Sequence, residues 1–135
     1  MDMETELACR RLVIASYSLM DQGRYEETAA LFTADAVWVR GGKPVAGRDA
    51  ILSSLKQRPT TDVSRHLLTN VLIEAREGDE ASATACFMPL RGTKREDGTV
   101  ATPQITNVGD LNYRFRKEGD RWKISHLQPT MIFKP

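Results

Sequence analysis

Val63-Ser64-Arg65-His66-Leu67-Leu68-Thr69-Asn70-Val71-Leu72-Ile73-Glu74-Ala75 is the stretch on which the reading of this chain turns. It reads as one long strand, and Gly78-Asp79 turns it back into a second, Ala81 to Leu90. Ile105 to Arg116 and Trp122 to Phe133 read as two more, joined by a turn at Glu118-Gly119-Asp120. Gly92 to Thr102, rich in charge, Gly and Thr, reads as a mobile loop. Upstream the pattern is helical. Leu12, Ala15 and Leu19 recur at helical spacing between Glu6 and Asp21, with Gly23 as the stop. Tyr25 to Phe32 and Arg48 to Gln57 are two further helices, the last ended by Pro59. Between them Val37-Trp38-Val39 is a strand, and Gly41-Gly42 turns it into an edge piece at Pro44-Val45. Helices segregated from a run of antiparallel strands make the fold class α+β.

On strict alternation, one face of the long strand carries Ser64, His66, Leu68, Asn70 and Leu72, and the other Leu67, Val71 and Ile73. Both faces are apolar enough to require cover. Three helices cover only one, so the other is expected to meet a second copy, making a homo-oligomer, dimer or trimer.

Length and composition bound the function. The 135 residues suffice for one domain, 1–135, and not for two. With 41% hydrophobic and 27% charged residues the chain has globular composition. A formal net charge of +1 gives no general pull toward nucleic acid or an anionic membrane. The first residues, Met1 to Glu6, are acidic where a signal peptide is basic, and no apolar run spans a bilayer. Cys9 and Cys86 lack metal or disulfide spacing, so reduced thiols and a cytoplasmic location are expected. The two histidines, His66 and His126, form no metal motif, and no glycine-rich phosphate loop or nucleophile elbow is present.

Five segments, in order along the chain, carry a family resemblance: Tyr17 to Gly23, Ala30 to Trp38, Gly47 to Ile51, Arg65 to Asn70 and Gly119 to Ile124. Together they resemble a SnoaL-like domain of the nuclear transport factor 2-like superfamily, with its ketosteroid isomerases, scytalone dehydratases and polyketide cyclases. The resemblance implies a cone-shaped α+β barrel, three N-terminal helices packed on a strongly curved, mostly antiparallel sheet around a small-molecule pocket.

Asp21 and His66 match the aspartate and histidine that dehydratases of this kind use to remove a proton beside a carbonyl and release a hydroxyl as water. The last segment, Trp122 to Pro129, also resembles the dehydratase end. The dehydratase's second histidine falls at Arg91, which accepts no proton. The isomerase's strand aspartate is missing from Trp38-Val39-Arg40-Gly41, and its helix tyrosine is one residue out of place if Tyr17 is its counterpart.

The residues themselves support a site in the same place. An imidazole accepts and returns a proton near neutral pH, and a carboxylate beside it fixes its tautomer. Asp21 at a helix C-terminus is electrostatically disfavoured and needs a partner, for which His66 is the candidate. The alternative is a buried histidine held by an aspartate for structure alone. Tyr17, one turn before Asp21, either polarises a carbonyl or is a packed aromatic. Trp38 is expected to wall the pocket or else to be ordinary core, and Asn70 to orient a ligand oxygen. Arg91 binds a carboxylate or phenolate at the mouth or else stays solvated beside Lys94-Arg95, and Asn107 is expected, from its place on a neighbouring strand in the family, to contact substrate. His126, sharing alternation with Trp122 and Ile124, is expected to be a packed or interface residue.

The expected activity is a cofactor-independent, dehydratase-like lyase, or an isomerase or cyclase using the same enolate chemistry, on a small hydrophobic or phenolic hydroxy-carbonyl ligand. The rival readings are a non-catalytic binding or oligomer-forming protein and the small subunit of a ring-hydroxylating dioxygenase.

Overall fold

The computed structural model describes residues 1–75, 77–105 and 107–135. Helix α1 (Met3–Asp21) begins where the Asp2 carboxylate accepts the Thr5 N–H at 2.7 Å, with Glu4 and Glu6 in the first turn favoured by the positive end of the helix. Its buried stripe, Cys9, Leu12, Val13, Ser16, Tyr17 and Met20, recurs every three to four residues. It ends in a Schellman turn. Gly23, at φ 75°, donates to Met20 O at 2.9 Å and Arg24 to Leu19 O at 3.0 Å. Helix α2 (Tyr25–Ala29) is shorter than its pattern suggested, because the chain extends from Phe32 to build β1 (Phe32–Arg40). After β2 (Lys43–Ala46), helix α3 (Arg48–Lys56) buries Ile51 and Leu55. Four long strands follow: β3 (Asp62–Ala75), β4 (Glu80–Thr93), β5 (Val108–Glu118) and β6 (Arg121–Phe133).

The six strands form one sheet in the order β2-β1-β6-β5-β4-β3. All neighbours are antiparallel except β1 and β6, which run parallel. The curl is a half-open cone rather than a closed barrel, since β2 and β3 stay unpaired at opposite edges. Helices cover the inner face. On β4 the inward residues are small, Ala81, Ala83 and Ala85, and across from them on β5 stand Phe115, Tyr113 and Leu111. Small opposite large fills the layer without crowding it.

Two bulges redirect side chains that strict alternation had placed. On β3 the register slips between Thr69 and Leu72, with Asn70 in the left-handed region at φ 55°. Upstream, Ser64 and His66 point inward. Downstream, Ile73 is buried and Leu72 is 56% exposed. The outward apolar residues of this strand are therefore Leu67 and Leu72, not Val71 and Ile73. On β6 a second slip separates Ile124, buried, from His126, which sits opposite Arg114 on the outer face. His126 and Ile124 do not share a face. The Gly92 to Thr102 segment also carries β pairing that its composition did not suggest. Strand β4 runs on to Thr93, and Lys94 bridges to Val100.

Candidate active site

Strand β3 is an edge strand, so its outward backbone N–H groups need partners from elsewhere. The last residue of α1 supplies one: Asp21 Oδ2 accepts the His66 N–H at 2.7 Å. Its other oxygen, Oδ1, accepts from the His66 ring at Nδ1, 2.8 Å away, and from the Ser64 hydroxyl at 2.7 Å. Ser64 is in turn held by Arg58, whose Nη2 donates to it at 2.6 Å. Arg58 Nη1 also donates to the terminal carbonyl of Met20 at 3.2 Å, placing a cation at the negative end of α1. The carboxylate that sits unfavourably at a helix C-terminus is thus compensated by three donors and a nearby guanidinium.

These contacts decide protonation. Burial alone raises the Asp21 pKa, but the hydrogen bonds from the His66 ring and Ser64, with the charge and backbone N–H of His66, outweigh it and hold the carboxyl below its ordinary 3.8. An ionised Asp21 only accepts, so His66 Nδ1 carries the proton of the neutral ring. Its Nε2 is then the basic nitrogen, and among the described residues it has no hydrogen-bond partner.

His66 looks into a cavity of about 420 Å³ inside the cone. Tyr17 lies against the imidazole with ring centroids 4.6 Å apart, and Phe87 is parallel to it at 6.3 Å. Trp38, 1% exposed, meets Tyr17 edge-on at 5.6 Å and stacks on Phe32 at 5.2 Å. Burial pushes the Tyr17 phenol well up, against the opposing pull of Trp38 and Arg40, so it remains a proton donor at neutral pH. Phe87 keeps its place because β5 has Gly109 beneath it. A Cβ there would lie 2.7 Å from Phe87 Cε1 and 2.7 Å from Thr130 O.

Of the residues singled out in the sequence, Tyr17, Trp38, His66, Arg91 and Asn107 line this cavity, and Asp21 stands behind His66. Asn107 Oδ1 is buried and, among the described residues, has no hydrogen-bond partner. Asn70 is not there. The bulge it creates puts it on the exposed surface, where its Oδ1 accepts the Thr69 hydroxyl at 2.9 Å, so it orients no ligand in the cavity. Arg91 is at the mouth, mostly exposed and ion-paired with Asp62. Sequence reasoning missed Ser64, Arg58 and Arg40. Ser64 shares His66's strand face two residues earlier, which was a usable signal. Arg58, in the turn after α3, carried none. Among the described residues, no group of three His, Cys, Asp or Glu is placed to hold a metal ion, and no helix is long and apolar enough to cross a membrane. Cys9 and Cys86 are free thiols.

A half-open α+β cone, with an aspartate–histidine pair where the first helix meets the edge strand, is the architecture by which this chain is classed. The model of the SnoaL-like domain family matches residues 1–128, and the chain belongs to that family. Solved structures share the fold across nearly all of the chain. A Novosphingobium aromaticivorans protein provisionally described as a scytalone dehydratase is 19% identical, with TM-score 0.79, over 97% of this chain and 86% of that one. A type 2 hexachlorocyclohexane dehydrochlorinase (LinA) is 16% identical, with TM-score 0.81, over 97% and 87%. A Catenulispora acidiphila protein solved in complex with S-DNPA is 22% identical, with TM-score 0.74, over 96% and 95%. No curated protein sequence shows significant similarity to this chain.

Proposed function

We propose that the cavity carries out cofactor-independent acid–base elimination, as a dehydratase-like lyase on a small hydroxy-carbonyl compound. The observation that carries this reading is the Asp21–His66 pair. It presents to a cavity large enough for a small cyclic substrate an Nε2 that has no partner among the described residues. His66 Nε2 takes the proton from the carbon beside the carbonyl, and the C–H electrons pass into an enolate. Tyr17 donates a hydrogen bond to the oxygen on which that charge develops. The imidazolium, stabilised by Asp21, returns the proton to the β-hydroxyl as its C–O bond breaks. A conjugated carbonyl compound and water leave. Asn107 Oδ1, buried and without a partner among the described residues, fits a substrate hydroxyl that donates to it. Isomerisation or cyclisation through the same enolate uses the same residues. The structural neighbours include a protein provisionally described as a scytalone dehydratase and a hexachlorocyclohexane dehydrochlorinase, names that denote eliminations.

The test is a panel of cyclic and aromatic β-hydroxy ketones, followed by absorbance of the new conjugated bond and by deuterium uptake from solvent at the α-carbon. Turnover and exchange in the wild type, both lost in His66→Gln with the fold intact, are the expected result. Full turnover in His66→Ala sinks the mechanism. The second reading, a binding protein without turnover, is favoured by Arg91 standing where dehydratases have their second histidine. It predicts that ligands bind the wild type and His66→Gln alike, with no exchange in either.

A further inference from the structure

Three arginines surround the cavity, and two have partners of their own. Arg58 is spent on Ser64 and the end of α1, and Arg91 on Asp62. Arg40 is different. It belongs to no ion pair among the described residues, and its one hydrogen bond runs from Nη1 to the thioether of Met20 at 3.5 Å, a weak acceptor. Its guanidinium carbon lies over the Trp38 ring, 4.7 Å from the ring centre, which holds the group against the cavity wall. The carboxylates nearest the site, Asp21 and Asp62, are already taken by His66 and Arg91. The cavity thus contains one half-buried positive charge that nothing in the described chain balances. Burial lowers its pKa, Tyr17 opposes this, and the like charges of Arg58 and Arg91 lower it further. A cation kept in such surroundings is costly unless something negative arrives to meet it.

We propose that Arg40 is an anion subsite, and that the substrate of this cavity carries a planar oxyanion, a carboxylate or a phenolate, which docks on the Arg40 guanidinium. The fork of N–H donors suits the two oxygens of a carboxylate or converges on the single oxygen of a phenolate, and the Trp38 ring under it limits where it can swing. Tyr17 touches both Trp38 and His66, so it separates the anion subsite from the proton-transfer end. The substrate therefore spans the cavity, with its charged group at Arg40 and its reacting carbons at His66. This assignment deepens the acid–base reading of the same site, but ligand selection by Arg40 is testable without turnover.

The experiment compares equilibrium binding of 2-naphthoate and its neutral isostere 2-naphthamide, by tryptophan fluorescence or calorimetry. Wild type is expected to bind the acid at least tenfold more tightly, with the preference shrinking as salt rises. In Arg40→Gln the two ligands bind equally, with the amide affinity unchanged, while His66→Gln keeps the preference. Equal binding of acid and amide by wild type, or no detectable binding of the acid at millimolar concentration, overturns the assignment even if Arg40→Gln does not fold. So does a preference that survives in Arg40→Gln. A preference lost in His66→Gln and kept in Arg40→Gln moves the anion to the imidazolium instead. 2-Naphthol against 2-methoxynaphthalene, at a pH above the naphthol's ionisation, separates phenolate from carboxylate. Failure of elimination with a preserved acid preference overturns the acid–base reading and leaves the anion subsite standing.

Discussion

At the residue scale the site depends on how Asp21 divides its oxygens. Oδ2 ties the edge strand to the helix, and Oδ1 sets the imidazole tautomer. Asp21→Asn keeps the shape, removes the charge and offers an amide N–H₂ where one of the donors now points. Loss of turnover is expected, together with about 1–3 kcal/mol of stability, the range for disrupted buried hydrogen bonds. The pH dependence has a definite sign. Because the folded-state carboxyl sits below its ordinary 3.8, ionised Asp21 contributes stability in full above that value. The contribution fades as pH falls through the lowered folded-state value. Urea midpoints of wild type and Asp21→Asn should therefore keep a constant gap near neutrality and converge only below pH 3.8. A gap that closes already between pH 7 and 5 would place the protonation elsewhere.

Elements depend on backbone devices that are small and local. Asn70 bends β3 by adopting a left-handed conformation that asparagine tolerates and β-branched residues do not. Asn70→Gly should fold and turn over as wild type does, whereas Asn70→Val should cost about 1–3 kcal/mol through backbone strain. Turnover lost in a fully stable Asn70→Gly protein would return Asn70 to the site. Gly109 does the reverse job, making room rather than a bend. Gly109→Ala overlaps both the Phe87 ring and the Thr130 carbonyl, so the ring and the local backbone must both give way, and overpacking of this kind costs about 1–3 kcal/mol. Phe87 walls the cavity beside His66, so the same change should weaken ligand binding, read out by titration alongside the thermal melt.

For the whole molecule the outer face of the sheet is the surface that stands uncovered. Leu67 and Leu72 are 54% and 56% exposed there, and Ile132 and Phe133, near the end of β6, are 54% and 66% exposed. Apolar side chains of this size on a sheet that helices cover from one side only are expected to be buried against a second copy. Sedimentation should show a homo-oligomer, and Leu67→Lys with Leu72→Lys should shift it toward monomer without unfolding the cone. A wild type that sediments as a monomer at micromolar concentration overturns this expectation.

Kind and order of elements were legible along the chain, since hydrophobic spacing and glycine stops are local signals. A carboxylate at the wrong end of a helix signalled that Asp21 needs a partner, and the family resemblance pointed to His66 as that partner. The family resemblance supplied the cone. Folding alone decided the rest. One extra residue at Asn70 reversed the face of everything after it on β3, and a register slip did the same before His126. Ser64 and Arg58 became part of the Asp21 network only when α1, the turn after α3 and β3 converged, from positions up to 43 residues apart. Arg91 found Asp62 across a strand pair, and Arg40 was left without a carboxylate. Alternation and helical period record what each residue's immediate neighbours require. Which charges meet, and which one is left facing a cavity, depends on distances between segments that no local pattern encodes.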